Sequence, residues 1–563
     1  MHRVTRVDMS SNVWCSIAKQ GWLLISGTLL LVLLLLETTS LRHKGLTTDE
    51  SLHYHYGYRV LHGAPRRAGV LDSSTMPFSS LHAMTSGNLA MLARATGIPI
   101  ESSWQGQVKR GRYATIILSL VLALYVLKWS YELYGRNGAL LSLSLLVFDP
   151  NLLAHGHLVT ADLPAALMTT MALYHFWHFL ELGGKGRALL SSLTLGLSQL
   201  AKYSCVYLYP IFAVIGAMYC RLAPAHEGST NDAPQPKRAT LGHALVTILL
   251  FAVVSALTIN VGFGFDGIGT PLSKYSLKDP FFKKLQAIPI ISEIPLPLPV
   301  PYIQGLDLIK FEERMGQGWR NIYMAGTVRV NRADGTLHGF PGYYFYAAFF
   351  KVPIAKQIIF LVALVGYLSR SQRSTPGLRR EEIFLLVPIL IYWTYFNFFF
   401  SAQIGIRHVL PVFALATVFC GRFLAAPESR IRRYTAILLI AWTAVSTLSY
   451  YPHFISYFNE FVPDRKLAYR HLADSNLDWR GNDWYLAEYL RRNPGAIVDP
   501  RKPQAGRIIV PVNALVGVNR SPEEYRWLRD HFTPVDHIAY SYLVYDVSDQ
   551  MLSQIGGNSK SPQ

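Results

Sequence analysis

The chain has 563 residues, of which 51% are hydrophobic and 16% charged, with a formal net charge of +18. Soluble chains average about 25% charged residues, so the deficit excludes an ordinary soluble domain, while a mean hydropathy of only +0.22 places a large part of the chain outside a bilayer. Lys and Arg recur in short clusters between apolar runs, as cytoplasmic loops require, and neither a nucleic-acid stripe nor a nucleic-acid-binding motif is present.

A membrane span needs about 20 mostly apolar residues. About eleven runs qualify or nearly so: 22–38, 113–130, 138–149, 159–181, 188–201, 203–220, 241–262, 350–369, 382–400, 407–424 and 434–451. The third and fifth are short. The long basic stretch before the first run, and the poor small-residue site at Glu37-Thr38-Thr39-Ser40, predict an uncleaved anchor rather than a signal peptide. With the N-terminus inside, the inner segments carry Arg3, Arg6 and Lys19; Arg136; Lys185 and Arg187; Arg221, Lys237 and Arg238; Arg370, Arg373, Arg379 and Arg380; and Arg430, Arg432 and Arg433. Every inner loop is then short and basic. The two long hydrophilic segments, about 263–349 and 452–563, fall outside.

Ser51 to His62 and Phe78 to Arg94 predict juxtamembrane helices lying at headgroup level. Residues 223–236 read as a polar, Pro-rich inner loop. The alternating prolines from Pro295 to Pro301 exclude a helix interior. In the tail, Arg507 to Val512 and His537 to Val547 read as strands, and Ser521-Pro522-Glu523-Glu524 as a helix start. The expected fold is therefore a polytopic α-helical membrane protein of two parts. Residues 1–451 are expected to form the transmembrane domain, with outer loops at about 39–112 and 263–349, and residues 452–563 a small extracytoplasmic α/β domain. The four cysteines make no disulfide framework.

Polar residues at span mouths are the candidates for chemistry, because ionisable groups there are costly. Asp49 and Glu50 follow the first span. Thr47-x-x-Glu50 also fits a capping box, while the functional alternative is a general base acting on an acceptor hydroxyl. The segment Asp149 to Asp162 holds His155, His157 and two carboxylates, which can bind a divalent ion or simply form a polar hairpin with a capped helix at Asp162. Lys202, Lys351 and the Arg407-His408 pair share the outer side and can serve a phosphate; Lys202 can equally snorkel. There is no Walker A loop. An outer-face reaction then needs an activated donor that crosses the bilayer, and a sugar on a polyprenyl phosphate fits.

These residues resemble the motifs of glycosyltransferase family 39, the protein O-mannosyltransferases and their bacterial relatives, which have the GT-C fold. Asp49-Glu50 resembles the family's first-loop motif, and Asp149-Pro150 through Asp162-Leu163-Pro164 its second outer loop. Leu195 to Ser204, with Lys202-Tyr203, Gly342 to Tyr346 followed by Lys351-Val352-Pro353, and Gly405-Ile406-Arg407-His408-Val409-Leu410-Pro411 are similar to later segments. Asp474-Ser475-Asn476-Leu477-Asp478-Trp479 resembles a segment common in bacterial members, although Arg480-Gly481-Asn482-Asp483 then carries an apparent one-residue insertion, and Thr327 stands where an acidic residue is often seen.

The resemblance, over about residues 20–490, implies a GT-C-like bundle in the bacterial inner membrane and an inverting transferase. Its donor would be a polyprenyl-phosphate sugar, and its acceptor a lipid, glycan or protein. Asp49, Glu50 and Asp162 would be catalytic; Lys202, Arg407, His408 and Lys351 would hold the donor phosphate; His155 and His157 remain candidates for a divalent cation. The competing function is a transporter or flippase, for which inverted repeats with mid-span breaks would be expected; no internal repeat is evident.

Overall fold

The computed structural model describes residues 9–221, 241–315, 321–330, 335–369, 380–425 and 429–558. The inner loop at 223–236, and Arg3, Arg6, Lys237, Arg238, Arg370, Arg373 and Arg379, lie outside them.

The apolar runs are helical. The first, α1 (Met9–Ser40), carries an apolar stretch from Gln20 to Ser40. Two short helices follow at the positions expected, α2 (Glu50–Leu61) and α3 (Ser80–Thr96). The second and third predicted spans are one helix by hydrogen bonding, α4 (Trp104–Val147), 44 residues long. A straight helix of that length would run about 66 Å, twice the hydrocarbon thickness of a bilayer. Gly135 resolves the conflict: at φ 73° and ψ −171° it kinks the helix, a conformation that costs glycine little because it has no Cβ. After the turn α5 (Pro150–His155) come α6 (Asp162–Leu182), α7 (Lys185–Ala201), α8 (Leu208–Arg221) and α9 (Leu241–Gly262).

The long segment after α9 holds α10 (Pro280–Gln286) and α11 (Val300–Met315). Residues 295–299 between them are not helical, as the prolines require. The two-stranded hairpin β1 (Ile322–Met324) and β2 (Thr327–Arg329) follows. The predicted span at 350–369 is instead two helices, α12 (Tyr343–Lys351) and α13 (Ile354–Leu368), bent by 117° at the break that contains Pro353. Then come α14 (Ile383–Phe398), α15 (Leu410–Cys420) and α16 (Arg430–Leu448). Among the described residues five helices are long and apolar enough to span singly, and a sixth span arises if the bent pair counts as one. Two internal ion pairs tie the bundle: Lys356 to Asp149 at 2.5 Å, and Arg422 to Glu382 at 2.6 Å. Charges so placed persist only when paired.

The tail contains α17 (Asp483–Arg492) and a four-stranded sheet in the order β3-β4-β6-β5. Its strands are β3 (Ile497–Val498), β4 (Gly506–Pro511), β5 (Asp536–Ile538) and β6 (Tyr542–Val547). Alternation sorts the faces: Ile508, Val510 and Leu543 join the main hydrophobic cluster, while Ile509, Ile538 and Val544 pack under Tyr485 and Leu486 of α17. The single strand expected over His537 to Val547 is two, because Ala539 and Tyr540 turn the chain at positive φ. The helix expected from Ser521 begins only at Arg526; the residues before it form a turn, with Glu524 N donating to the Ser521 carbonyl at 3.2 Å.

Candidate active site

Four breaks in helical structure bring the site together. Asp49 is the N-cap of α2, yet its carboxylate makes no cap hydrogen bond, so it is available to a partner elsewhere. Asp162 opens α6. Lys202 terminates α7 in an extended conformation, φ −161° and ψ 146°, which turns its side chain toward Asp162. Lys202 Nζ lies 2.5 Å from Asp162 Oδ1. Arg407 comes from the short 3-10 turn Ile406–Val409. Its Nη1 is 3.0 Å from Asp49 Oδ2 and 3.4 Å from Asp162 Oδ2, so one guanidinium holds two carboxylates from different elements. The buried Trp479 ring supports that guanidinium at 4.0 Å, and Asn476 Oδ1 accepts from Ile406 N at 2.9 Å. The Asp474–Trp479 segment therefore positions Arg407 despite its insertion.

Asp49, Asp162, Lys202 and Arg407 line an open cleft of about 1310 Å³. His408 also lines it. Val206, Phe396, Phe400 and Ile404 supply an apolar flank, with the Phe400 ring 5.2 Å from that of His408. A second polar group also lines the cleft: Lys310 Nζ donates to Glu313 Oε2 at 2.7 Å and to Tyr395 Oη at 2.7 Å. Such a cleft can take an anion at Lys202 and Arg407, a polar body, and an apolar chain along the flank.

Four of the predicted site residues behave differently. Glu50 has no exposure at all and does not line the cleft. Its carboxylate takes Arg112 at 2.7 Å, Thr47 N at 2.8 Å and Val159 N at 3.1 Å. Burial pushes its pKa up, but Arg112 and these hydrogen bonds outweigh burial and hold it below the usual range. Glu50 is a positioning residue that fixes the loop carrying Asp49, and half of the expected capping box is present as the Thr47 N–H bond. Lys351 is not at the cleft either: its Nζ donates to the carbonyls of Ile455 at 2.7 Å and Asn476 at 2.6 Å, so it anchors those two segments rather than a phosphate. His155 and His157 are buried, which pushes them down to about 4 and about 3. Among the described residues no group of three or more His, Cys, Asp or Glu side chains is arranged to hold a metal. Asp162, the carboxylate nearest such a role, is spent on Lys202 and Arg407, so the donor set does not fit one.

Arg112 and Glu312 emerge only from the structure, and so does the role of Trp479, which the sequence shows only as the end of the Asp474–Trp479 segment. Arg112 stands at the head of an apolar run and looks like an ordinary flanking charge. Glu312 lines the cleft and accepts a hydrogen bond from Ser73 Oγ. Burial raises its carboxyl from the ordinary 4.5 to about 7, with the Asp49 charge adding to the rise. Between about 4.5 and about 7 the unfolded chain has lost this proton and the folded chain keeps it. Stability therefore falls as pH rises through that window. Glu312→Gln is expected to flatten that decline in thermal unfolding scans recorded between those pH values; an unchanged slope would mean that Glu312 ionises normally in the fold.

Residues 106–231 match the family model described as dolichyl-phosphate-mannose-protein mannosyltransferase. No curated protein matches the sequence. Among solved structures, the oligosaccharyltransferase of Archaeoglobus fulgidus in the apo form is similar at 15% identity and TM-score 0.45, over 84% of this chain and 58% of that one. This chain thus spans less than two thirds of that enzyme's length. ArnT from Cupriavidus metallidurans, bound to undecaprenyl phosphate, is similar at 14% identity and TM-score 0.29, over 97% of this chain and all of that one. The Gly135 kink of α4, Asp162 and Lys202 lie within 106–231, so two of the four residues joined through Arg407 and Lys202 belong to the part of the chain that matches the dolichyl-phosphate-mannose-protein mannosyltransferase family.

Proposed function

We propose that the chain transfers a sugar from a polyprenyl-phosphate donor to an acceptor hydroxyl at the outer face of a membrane, with inversion at the anomeric carbon. The observation that carries this reading is Arg407 shared between Asp49 and Asp162 beside Lys202, in a cleft with an apolar flank. The matching family's own description names a dolichyl phosphate donor, which is the same class of lipid.

The donor phosphate sits against Lys202 and Arg407, and the polyprenyl chain follows Phe396, Phe400 and Ile404. The phosphate competes for the guanidinium that otherwise holds Asp49. Donor binding thereby frees the Asp49 carboxylate to take the proton of the acceptor hydroxyl. The acceptor oxygen attacks the anomeric carbon from the face opposite the phosphate. The carbon–oxygen bond to phosphate breaks, and the electron pair leaves with the polyprenyl phosphate. Negative charge grows on that leaving group, where Lys202 and Arg407 are already in place. Asp162 keeps the two cations at the right separation.

The test uses full-length protein in lipid with a panel of radiolabelled polyprenyl-phosphate sugars. Release of free polyprenyl phosphate from one donor is expected. Movement of an intact donor across the bilayer, with no release, would instead support the flippase reading. Arg407→Lys is expected to lower turnover about tenfold to a hundredfold, since one ammonium cannot hold Asp162 and a phosphate together as a planar guanidinium does; equal turnover would show that only charge is needed.

A further inference from the structure

A second cleft, of about 1050 Å³, shares no lining residue with the donor cleft and is bounded by Gly45, four residues before Asp49. Lys44, Lys109, Arg110 and Arg112 line it, against the single carboxylate Glu101. Much of that positive charge is uncompensated. Arg112 is satisfied by Glu50. Lys109 is 3.6 Å from Glu101, with both side chains about half exposed, and such pairs hold little. Arg110 donates Nη1 to the Glu101 carbonyl at 2.7 Å, while its Nε–H meets no acceptor among the described residues. Lys44 has two neutral partners, His453 Nδ1 at 2.7 Å and Asn482 Oδ1 at 2.6 Å. Burial brings its ammonium down to about 7, with the nearby Asp478 carboxylate opposing that fall and the Arg112 charge adding to it.

The rim has a different character. Leu41 directly follows the first span, and Tyr113 lies in the opening turns of α4. With Ile100 they make an apolar lip at the outer end of two membrane helices. Trp484, stacked on His43 at 3.9 Å, forms the opposite wall. A cationic floor under an apolar lip at this level suits an anionic headgroup whose chains remain in the bilayer, and suits a soluble polyanion poorly. The floor also leads inward. A smaller cavity of about 460 Å³ shares Lys44, Gly45 and Arg112 with this cleft and ends on Trp479, the ring beneath Arg407.

We infer that this cleft binds the phosphate of an anionic amphiphile through Lys44, Lys109 and Arg110, and that this amphiphile is the acceptor, approaching Asp49 from a cleft separate from the donor's. The word acceptor rests on the transferase reading above; the binding of a phosphate-bearing lipid does not.

The experiment measures retention of radiolabelled phosphatidic acid by the full-length protein in neutral detergent, with radiolabelled polyprenyl phosphate as the control ligand. Wild type is expected to retain phosphatidic acid. The double variant Lys109→Ser/Arg110→Ser is expected to retain at least tenfold less, with polyprenyl phosphate binding unchanged. Lys44→Gln serves as a second variant acting on the same cleft from another element. Displacement by millimolar inorganic phosphate would show that the headgroup phosphate alone is recognised; resistance to it would show that the lipid is needed as well. Both keep the site. Equal retention by wild type and both variants, or none by wild type, overturns it. Phosphatidic acid binding without any sugar transfer would leave this site standing and remove the transferase reading; transfer with no cleft-dependent binding would do the reverse.

Discussion

Asp49→Asn is expected to lower sugar transfer by about a hundredfold to ten-thousandfold, the usual range for a positioned general base, while leaving the protein folded. The asparagine keeps the size of the side chain and can still accept from Arg407, but it cannot take a proton. The backbone should not respond, because Asp49 makes no cap hydrogen bond to α2 and its side chain is 22% exposed toward the cleft. Donor binding should be retained or slightly strengthened, since Arg407 is freed from one competing carboxylate. Rates measured with saturating donor, together with a thermal unfolding midpoint, check both halves of the expectation. Full activity in Asp49→Asn would leave Asp49 as a mere partner of Arg407.

Its neighbour is expected to behave in the opposite way. Glu50→Ala should destabilise the protein by about 3–5 kcal/mol, the cost of leaving a buried charge without its partner. The charge left behind is Arg112, only 2% exposed. Thr47 N and Val159 N would lose an acceptor as well, so the loop carrying Asp49 should loosen and activity fall as a consequence. The compensating double variant Glu50→Gln/Arg112→Met removes both charges and is expected to recover much of the stability. Denaturant or thermal unfolding in one detergent separates these outcomes. If Glu50→Ala kept its stability but lost transfer, Glu50 would have to act directly in the chemistry.

The contrast between these two adjacent carboxylates shows where sequence reading stops. The helices were readable from apolar runs because hydropathy is a local property, and the two juxtamembrane helices were readable from amphipathic segments flanked by glycine or proline. Asp49, Asp162, Lys202 and Arg407 were readable because ionisable residues at span mouths are costly and few. Glu50 was indistinguishable from Asp49 by composition; its partner Arg112 is 62 residues away, and only folding shows that the pair turns inward. Lys351 fails for the same reason, since carbonyls of Ile455 and Asn476, more than a hundred residues on, complete its shell. The break at Pro353 and the fusion of two spans across Gly135 depend on backbone angles that a hydropathy window does not see.

The most direct measurement is equilibrium binding of a radiolabelled polyprenyl phosphate to the full-length protein, to Lys202→Met, and to Lys283→Met as an outer-face control away from the cleft. A charge-assisted hydrogen bond contributes about 1.5–3 kcal/mol, and 1.4 kcal/mol is tenfold in affinity. Lys202→Met should therefore bind at least about tenfold more weakly than wild type, with Lys283→Met unchanged. Equal binding by all three proteins would contradict the placement of the donor phosphate beside Asp162 and Arg407.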